Sequence, residues 1–228
     1  MKGAFESRPS LPLKSRVATW DVNTVLSFLE TWYPHDDITL KELSLKLAVL
    51  LALLSGQRCQ TIYQLDINCM TLTSQKCTFF ISNLLKHSRK GCHQKPLEFL
   101  AFENCPQLCI VNVITVYLKK TEEHRKNSNT SRLLLSFKKP HLPISKDTLG
   151  RWIKSVLDLA GIDIAFSAHS TRSASTSAAS EAGVPLTTIL EAAGWSQEST
   201  FTRFYKKLVP AKHNFGQSLL DKYLSKSA

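Results

Sequence analysis

No apolar run in this 228-residue sequence is long enough to cross a bilayer; the longest, residues 47–54, suits a buried helix. Residues 1–16 hold no apolar stretch of the kind a secretory signal needs. No membrane partner is therefore expected, and the expected location is intracellular, nuclear if the host is eukaryotic. Cysteines stand at 59, 69, 77, 92, 105 and 109 without a C-x-x-C pair. Lacking a secretory signal, they read as reduced thiols rather than a disulfide framework. Cys92-His93 and Cys105-x-x-x-Cys109 are too irregular for recognised zinc-ligand spacings. No Asp/Glu cluster suggests a magnesium site, which argues against a metal nuclease. The expectation is no metal and no cofactor. Internal repeats and low-complexity tracts are also missing.

Acidic residues are few. Against 29 Lys and Arg stand 18 Asp and Glu, a formal net charge of +11. Such an excess favours a polyanionic partner, nucleic acid first, although charge alone is equally consistent with a merely basic surface. A hydrophobic content of 43% supplies a real core. The length permits one large domain or two small ones.

Residues 1–18, with prolines and scattered bases, read as an extended arm or linker, and residues 19–228 as one domain. Thr19 is placed to cap a helix over residues 20–32, with Val22, Val25, Leu26 and Leu29 at helical spacing. Thr39-Leu-Lys-Glu42 is a capping box opening a helix over residues 40–54, apolar on most faces and expected to be the central core helix. Three strand-like runs follow at 65–70, 76–81 and 96–102. The last two flank residues 82–95, which hold Lys86, Arg89, Lys90 and Lys95 and no acid, a basic hairpin suited to gripping phosphates. Helices are expected at 109–126, 145–160, 170–182, 185–193 and 198–207, with a short extended piece at 132–137 and an amphipathic tail from 212. The fold class is thus mainly α with a small antiparallel β-sheet, an α+β arrangement.

The densest chemistry lies in residues 168–207. His169-Ser-Thr-Arg172 puts an imidazole and a guanidinium on one helical face. The guanidinium fork matches a phosphate. Trp195 adds one indole N–H donor, and Tyr205, followed by Lys206 and Lys207, offers a phenol oxygen. Donors converging on a phosphate beside a phenol suggest phosphoryl transfer to tyrosine.

At these residues the chain resembles the tyrosine recombinase, or phage integrase-like, family, and more narrowly the integrase-like proteins of eukaryotic tyrosine-recombinase transposons. The family signature of Arg, Lys, His-x-x-Arg, His or Trp, and Tyr falls here on Arg58, Lys86, His169, Arg172, Trp195 and Tyr205. Lys90 is the alternative hairpin lysine. The Trp195–Tyr205 gap is one residue longer than usual in the family, and Phe204 holds the usual place. Phe204 cannot be a nucleophile, so Tyr205 is assigned. The resemblance implies a recombinase or integrase that binds double-stranded DNA, breaks and rejoins it through a 3′-phosphotyrosine, and self-associates on DNA. Arg89, Lys90, Lys95, Lys206 and Lys207 are the expected DNA-backbone contacts. Two other readings remain open: a domesticated DNA-binding protein that kept the fold without cutting, and a type IB topoisomerase-like activity. Residues upstream of the arm are expected to supply a second DNA-clamping half.

Overall fold

The capping box is formed as expected, and it starts the helix around which the fold is built. Thr39 Oγ1 accepts the Glu42 N–H at 3.2 Å while Glu42 Oε2 accepts the Thr39 N–H at 2.8 Å. Two helix-end donors are satisfied at once, which is worth roughly 1 kcal/mol. In this computed structural model, which describes residues 18–81, 95–207 and 209, the helix preceding it is α1 (Val22–Glu30) and the capped one is α2 (Leu40–Ser55). Leu43, Leu45, Leu47, Leu50 and Leu51 are all buried, so α2 runs through the middle of the core. It packs against α4 (Ile110–Ser128), α5 (Lys146–Leu159) and α6 (Ser170–Glu181). The remaining α-helices among the described residues are α3 (Cys59–Ile62), α7 (Leu186–Ala193) and α8 (Glu198–Phe204). Among the described residues, no helix is long and apolar enough to cross a membrane.

Three short strands complete the α+β arrangement: β1 (Met70–Leu72), β2 (Lys76–Phe79) and β3 (Leu97–Leu100), antiparallel in that order. Register runs Leu72 opposite Cys77 and Phe79 opposite Leu97, which turns Cys77, Phe79, Leu97 and Phe99 into the core. The connection from β2 to β3 contains residues 82–94, outside the described residues.

Local chemistry moved several boundaries. α1 starts at Val22 because Asp21, not Thr19, is its cap; the Asp21 carboxylate accepts the Asn23 N–H at 2.9 Å, and Thr19 is buried. The first strand begins at Met70 rather than residue 65, since Asp66 accepts the Asn68 N–H and turns residues 67–69 into a 3-10 helix. Residues 132–137 are extended but join no sheet, forming single bridges at Asp66–Arg132 and Leu135–Pro143. The last helix stops at Phe204, short of the expected residue 207.

Lys46, in the middle of α2, is fully buried and donates to the Leu29 and Trp32 carbonyls at 2.9 and 2.7 Å. It thereby places a cation at the C-terminal end of α1, where the helix dipole is negative. Burial brings its pKa down to about 8. Beside it, His35 is 2% exposed, with Nε2 against the Gln107 carbonyl at 3.1 Å and Nδ1 without a partner among the described residues. Burial first, then the Lys46 charge, hold its pKa below the ordinary 6.5, although Asp36 and the Gln107 carbonyl oppose this.

A pH dependence follows. The unfolded chain takes up the His35 proton near 6.5, the folded chain only at lower pH. This contribution is therefore complete above about pH 6.5 and is lost as pH falls through the depressed folded value. Thermal melts from about pH 8 to about pH 5 should show a falling Tm. His35→Gln should flatten part of that slope. Lys46, whose lowered pKa of about 8 falls in the same window, and His124 and His169, also held low, add to it.

Candidate active site

Four segments far apart in sequence meet beside the C-terminal end of α2. Gly56, the C-cap of α2, has φ 60°, a left-handed turn that a glycine adopts without strain and that redirects the chain into Arg58. Arg58 is the exposed N-cap of the short α3. Gly194, with φ 66°, ends α7 in the same way and delivers Trp195. A small second core of Ile189, Ala193, Trp195 and Phe201 holds that turn in place, and Tyr205 packs against it. The start of α6 is tied to the other end of the chain by Trp20, whose Nε1–H donates to Ser170 Oγ at 2.8 Å.

Arg172 is the organising side chain. It is 1% exposed. Its Nη1 donates to the Gly56 carbonyl at 2.8 Å and its Nη2 to the Ala193 carbonyl. Both acceptors lie at helix C-terminal ends, where carbonyls lack partners within the helix and the dipole favours a cation. One guanidinium thus joins the turn carrying Arg58 to the turn carrying Trp195. Gln57 reinforces the junction by donating to the Ala192 carbonyl. The guanidinium carbon lies 4.3 Å over the Trp195 ring and 5.4 Å from the centre of the Tyr205 ring. Tyr205 in turn is 4.4 Å from Trp195 and 6.2 Å from His169, centroid to centroid.

Positive charge accumulates here without a counter-ion: among the described residues, no carboxylate pairs with Arg58 or Arg172. Burial, then the Arg58 charge, bring the Arg172 pKa down to about 10, with Tyr205 pulling the other way. The guanidinium therefore stays charged at neutral pH. The His169 pKa is lowered by desolvation where its ring meets the protein, then by Arg172, Arg58 and Lys207, although the residue is exposed at the surface. Its neutral, proton-accepting form is thus favoured. Two buried donors, Arg172 Nε and Trp195 Nε1, have no hydrogen-bond partner among the described residues. Orphaned buried N–H groups are costly, and donors of this kind beside Arg58 and Arg172 suit an anion chemically.

Of the residues singled out in the sequence, Arg58, His169, Arg172, Trp195 and Tyr205 are brought together. Tyr205 is the C-cap of α8 rather than a residue within it, since its own N–H and that of Lys206 both bond the Phe201 carbonyl. Lys206 is exposed and Lys207 half-buried next to this cluster. Lys95 is paired with Glu191 of α7 at 2.9 Å. Lys86, Arg89 and Lys90 lie outside the described residues. Sequence reasoning missed an open groove of about 900 Å³ leading away from the cluster, lined in part by Arg58, His169, Lys146, Arg151 and Lys154. The available signal was the polar face of α5, whose apolar face alone was read. Among the described residues, no group of three or more His, Cys, Asp or Glu is placed to hold a metal.

A helical domain with a three-stranded antiparallel sheet and this arrangement of side chains has the fold of a tyrosine-recombinase catalytic domain. Residues 17–211 match the phage integrase family, and the chain belongs to that family. The fold is similar to the XerH site-specific recombinase bound to its difH substrate, with 17% identity, a TM-score of 0.60 and coverage of 100% of this chain and 58% of that one. It is similar to XerA recombinase, with 18% identity, a TM-score of 0.59 and coverage of 97% and 66%. A lambda integrase dimer bound to a COC′ core site matches with 14% identity, a TM-score of 0.52 and coverage of 87% and 50%. The chain thus spans between half and two thirds of the length of these proteins. No curated protein matches it. The narrower likeness to eukaryotic transposon proteins is corrected by these findings: the matching family is that of the phage integrases, and the matching structures include Xer recombinases and lambda integrase.

Proposed function

We propose that the protein is a DNA recombinase or integrase that breaks and rejoins DNA strands through a covalent tyrosine intermediate. The observation that carries this reading is the phenol of Tyr205 set against a cationic site with orphaned N–H donors. The Tyr205 oxygen attacks a backbone phosphorus and displaces the 5′-oxygen, leaving a 3′-phosphotyrosine. A 5′-hydroxyl from another strand reverses the step. Arg58 and Arg172 hold the non-bridging oxygens, where a bidentate cation best matches developing charge. Trp195 Nε1 donates one further bond. His169, kept neutral by its surroundings, accepts the phenol proton. As the phosphodiester arrives, its negative charge offsets the cations and raises the imidazole pKa, which helps it retain that proton. Lys86, on the β2–β3 connection, protonates the leaving 5′-oxygen, with Lys90 the alternative.

Phosphoryl transfer requires positioning and charge stabilisation above all. The two arginines supply that charge in this reading, so no metal takes part. Arg89, Lys90, Lys95, Lys206 and Lys207 contact the flanking backbone, with Lys95 exchanging Glu191 for a phosphate. Several copies assemble on double-stranded DNA, since strand exchange needs more than one cut strand. This substrate places the protein inside the cell, with its DNA.

The test is incubation with duplex DNA in excess chelator, followed by denaturing electrophoresis and peptide mapping. The expected result is a covalent adduct on Tyr205. Tight DNA binding with no adduct would establish the non-cutting DNA-binding reading instead. Relaxation of supercoils without strand exchange would point to topoisomerase-like activity. Loss of the adduct in chelator, with recovery on adding magnesium or zinc, would overturn the metal-free mechanism.

A further inference from the structure

The tyrosine-bearing segment ends in an unusual way. α8 stops at Phe204, and Tyr205 has φ −124° and ψ −26°, outside the helix. The carbonyl of Tyr205 is therefore a helix-end acceptor with no partner within the helix. A single hydroxyl takes it up. Ser177, 1% exposed on α6, donates its O–H to the Tyr205 carbonyl at 2.8 Å and accepts the Lys207 N–H at 3.0 Å. Both capacities of one side chain are used on the two sides of Lys206, bridging about thirty residues of sequence. The helix that carries Ser177 is also the helix that carries Arg172, and His169 is its N-cap.

We propose that Ser177 is a positioning residue for the nucleophile: it clamps the backbone of residues 205–207 to α6 and so sets the Tyr205 phenol relative to Arg172 and His169. This rests on the tyrosine-attack reading above. The Tyr205 N–H still bonds the Phe201 carbonyl, but its own carbonyl has no helical partner, and the Ser177 hydroxyl supplies that missing constraint. Attack geometry is exacting, because a displacement of about 1 Å can cost on the order of 100-fold in rate. The same clamp accounts for how a nucleophile one residue beyond the family's usual spacing is brought to the cluster: the chain leaves the helix at Phe204, and Ser177 catches it at Tyr205.

Ser177→Ala removes one oxygen and both bonds. Its rate of covalent adduct formation should fall roughly 10- to 100-fold, with DNA affinity within about twofold of wild type. Ser177→Thr keeps the hydroxyl and should recover most of the rate. With a 5′-thiolate leaving group, which needs no protonation, the Ser177→Ala defect should persist, because the nucleophile rather than the leaving group is displaced. In the wild-type protein, hydrogen exchange should show the Lys207 amide protected, a readout that stands even if the alanine variant does not fold. The proposal is overturned if Ser177→Ala forms adduct at the wild-type rate, if cleavage falls only as far as binding falls, if the thiolate substrate abolishes the defect, or if the wild-type Lys207 amide exchanges freely. Absence of any adduct on wild-type Tyr205 is a different result and defeats the tyrosine-attack reading itself.

Discussion

Tyr205→Phe should bind duplex DNA as tightly as wild type and form no covalent adduct. The substitution deletes one oxygen and keeps the ring that packs 4.4 Å from Trp195, so the small second core should survive. Removing a nucleophile lowers turnover by as much as about 10⁶-fold, which in a gel assay means no detectable product. The other tyrosines among the described residues are poorer candidates on structural grounds. Tyr117 is fully buried, its hydroxyl bonded to the Leu135 carbonyl and N–H. Tyr33 is 43% exposed, beside α1 and His35 rather than the cationic cluster. Tyr63 is half-buried, with its hydroxyl accepting from Gln64. Tyr223 lies outside the described residues and serves as the control: an adduct that persists in Tyr205→Phe and disappears in Tyr223→Phe would move the nucleophile there.

Arg172→Lys should abolish cleavage and also destabilise the fold. An ammonium cannot present two parallel donors to one phosphate. The loss of one transition-state donor costs about 2.7–4 kcal/mol, or roughly 10²- to 10³-fold in rate. The structural effect arises because Arg172 also joins two helix ends. Two separate nitrogens of Arg172 hold the Gly56 and Ala193 carbonyls, a lysine has one nitrogen to offer, and it loses the stacking on Trp195. Leaving a buried acceptor unpaired costs about 1–3 kcal/mol. For a domain of this size, that lowers Tm by about 2–12 °C. Kinetics measured well below the new Tm separate the two effects. A variant that melts lower but cuts at the wild-type rate would confine Arg172 to a structural role.

The long helices were legible because their signals are local. Thr39 and Glu42 form a box within one turn, Ser145 caps α5 through the Thr148 N–H at 3.2 Å, and the apolar face of α5 follows the helical period. The strand register was less so. Asp66 turned a β-like run into a 3-10 helix through one side-chain bond, a contest that propensity alone does not decide. Asp21 and Thr19 are both good caps on paper; burial of Thr19 and the Asp21–Asn23 bond chose between them. Lys46 gave no sequence signal of its role, because its partners, the Leu29 and Trp32 carbonyls, belong to α1 and the turn that follows it.

By itself the sequence determined the residue types of the candidate site, the basic balance and the helical framework, since composition, caps and periodicity depend only on near neighbours along the chain. It could not place Tyr205 against Arg172. That required α2 and α7 each to end in a left-handed glycine, so that two carbonyl-bearing ends face one guanidinium. It required Ser177 to meet the chain again at Tyr205. Nor could it show Lys95 paired with Glu191, or the groove beside α5. These are contacts between segments tens to more than a hundred residues apart. They form only when the core around α2 has closed, because until then nothing holds a buried cation beside the carbonyls and rings that receive it.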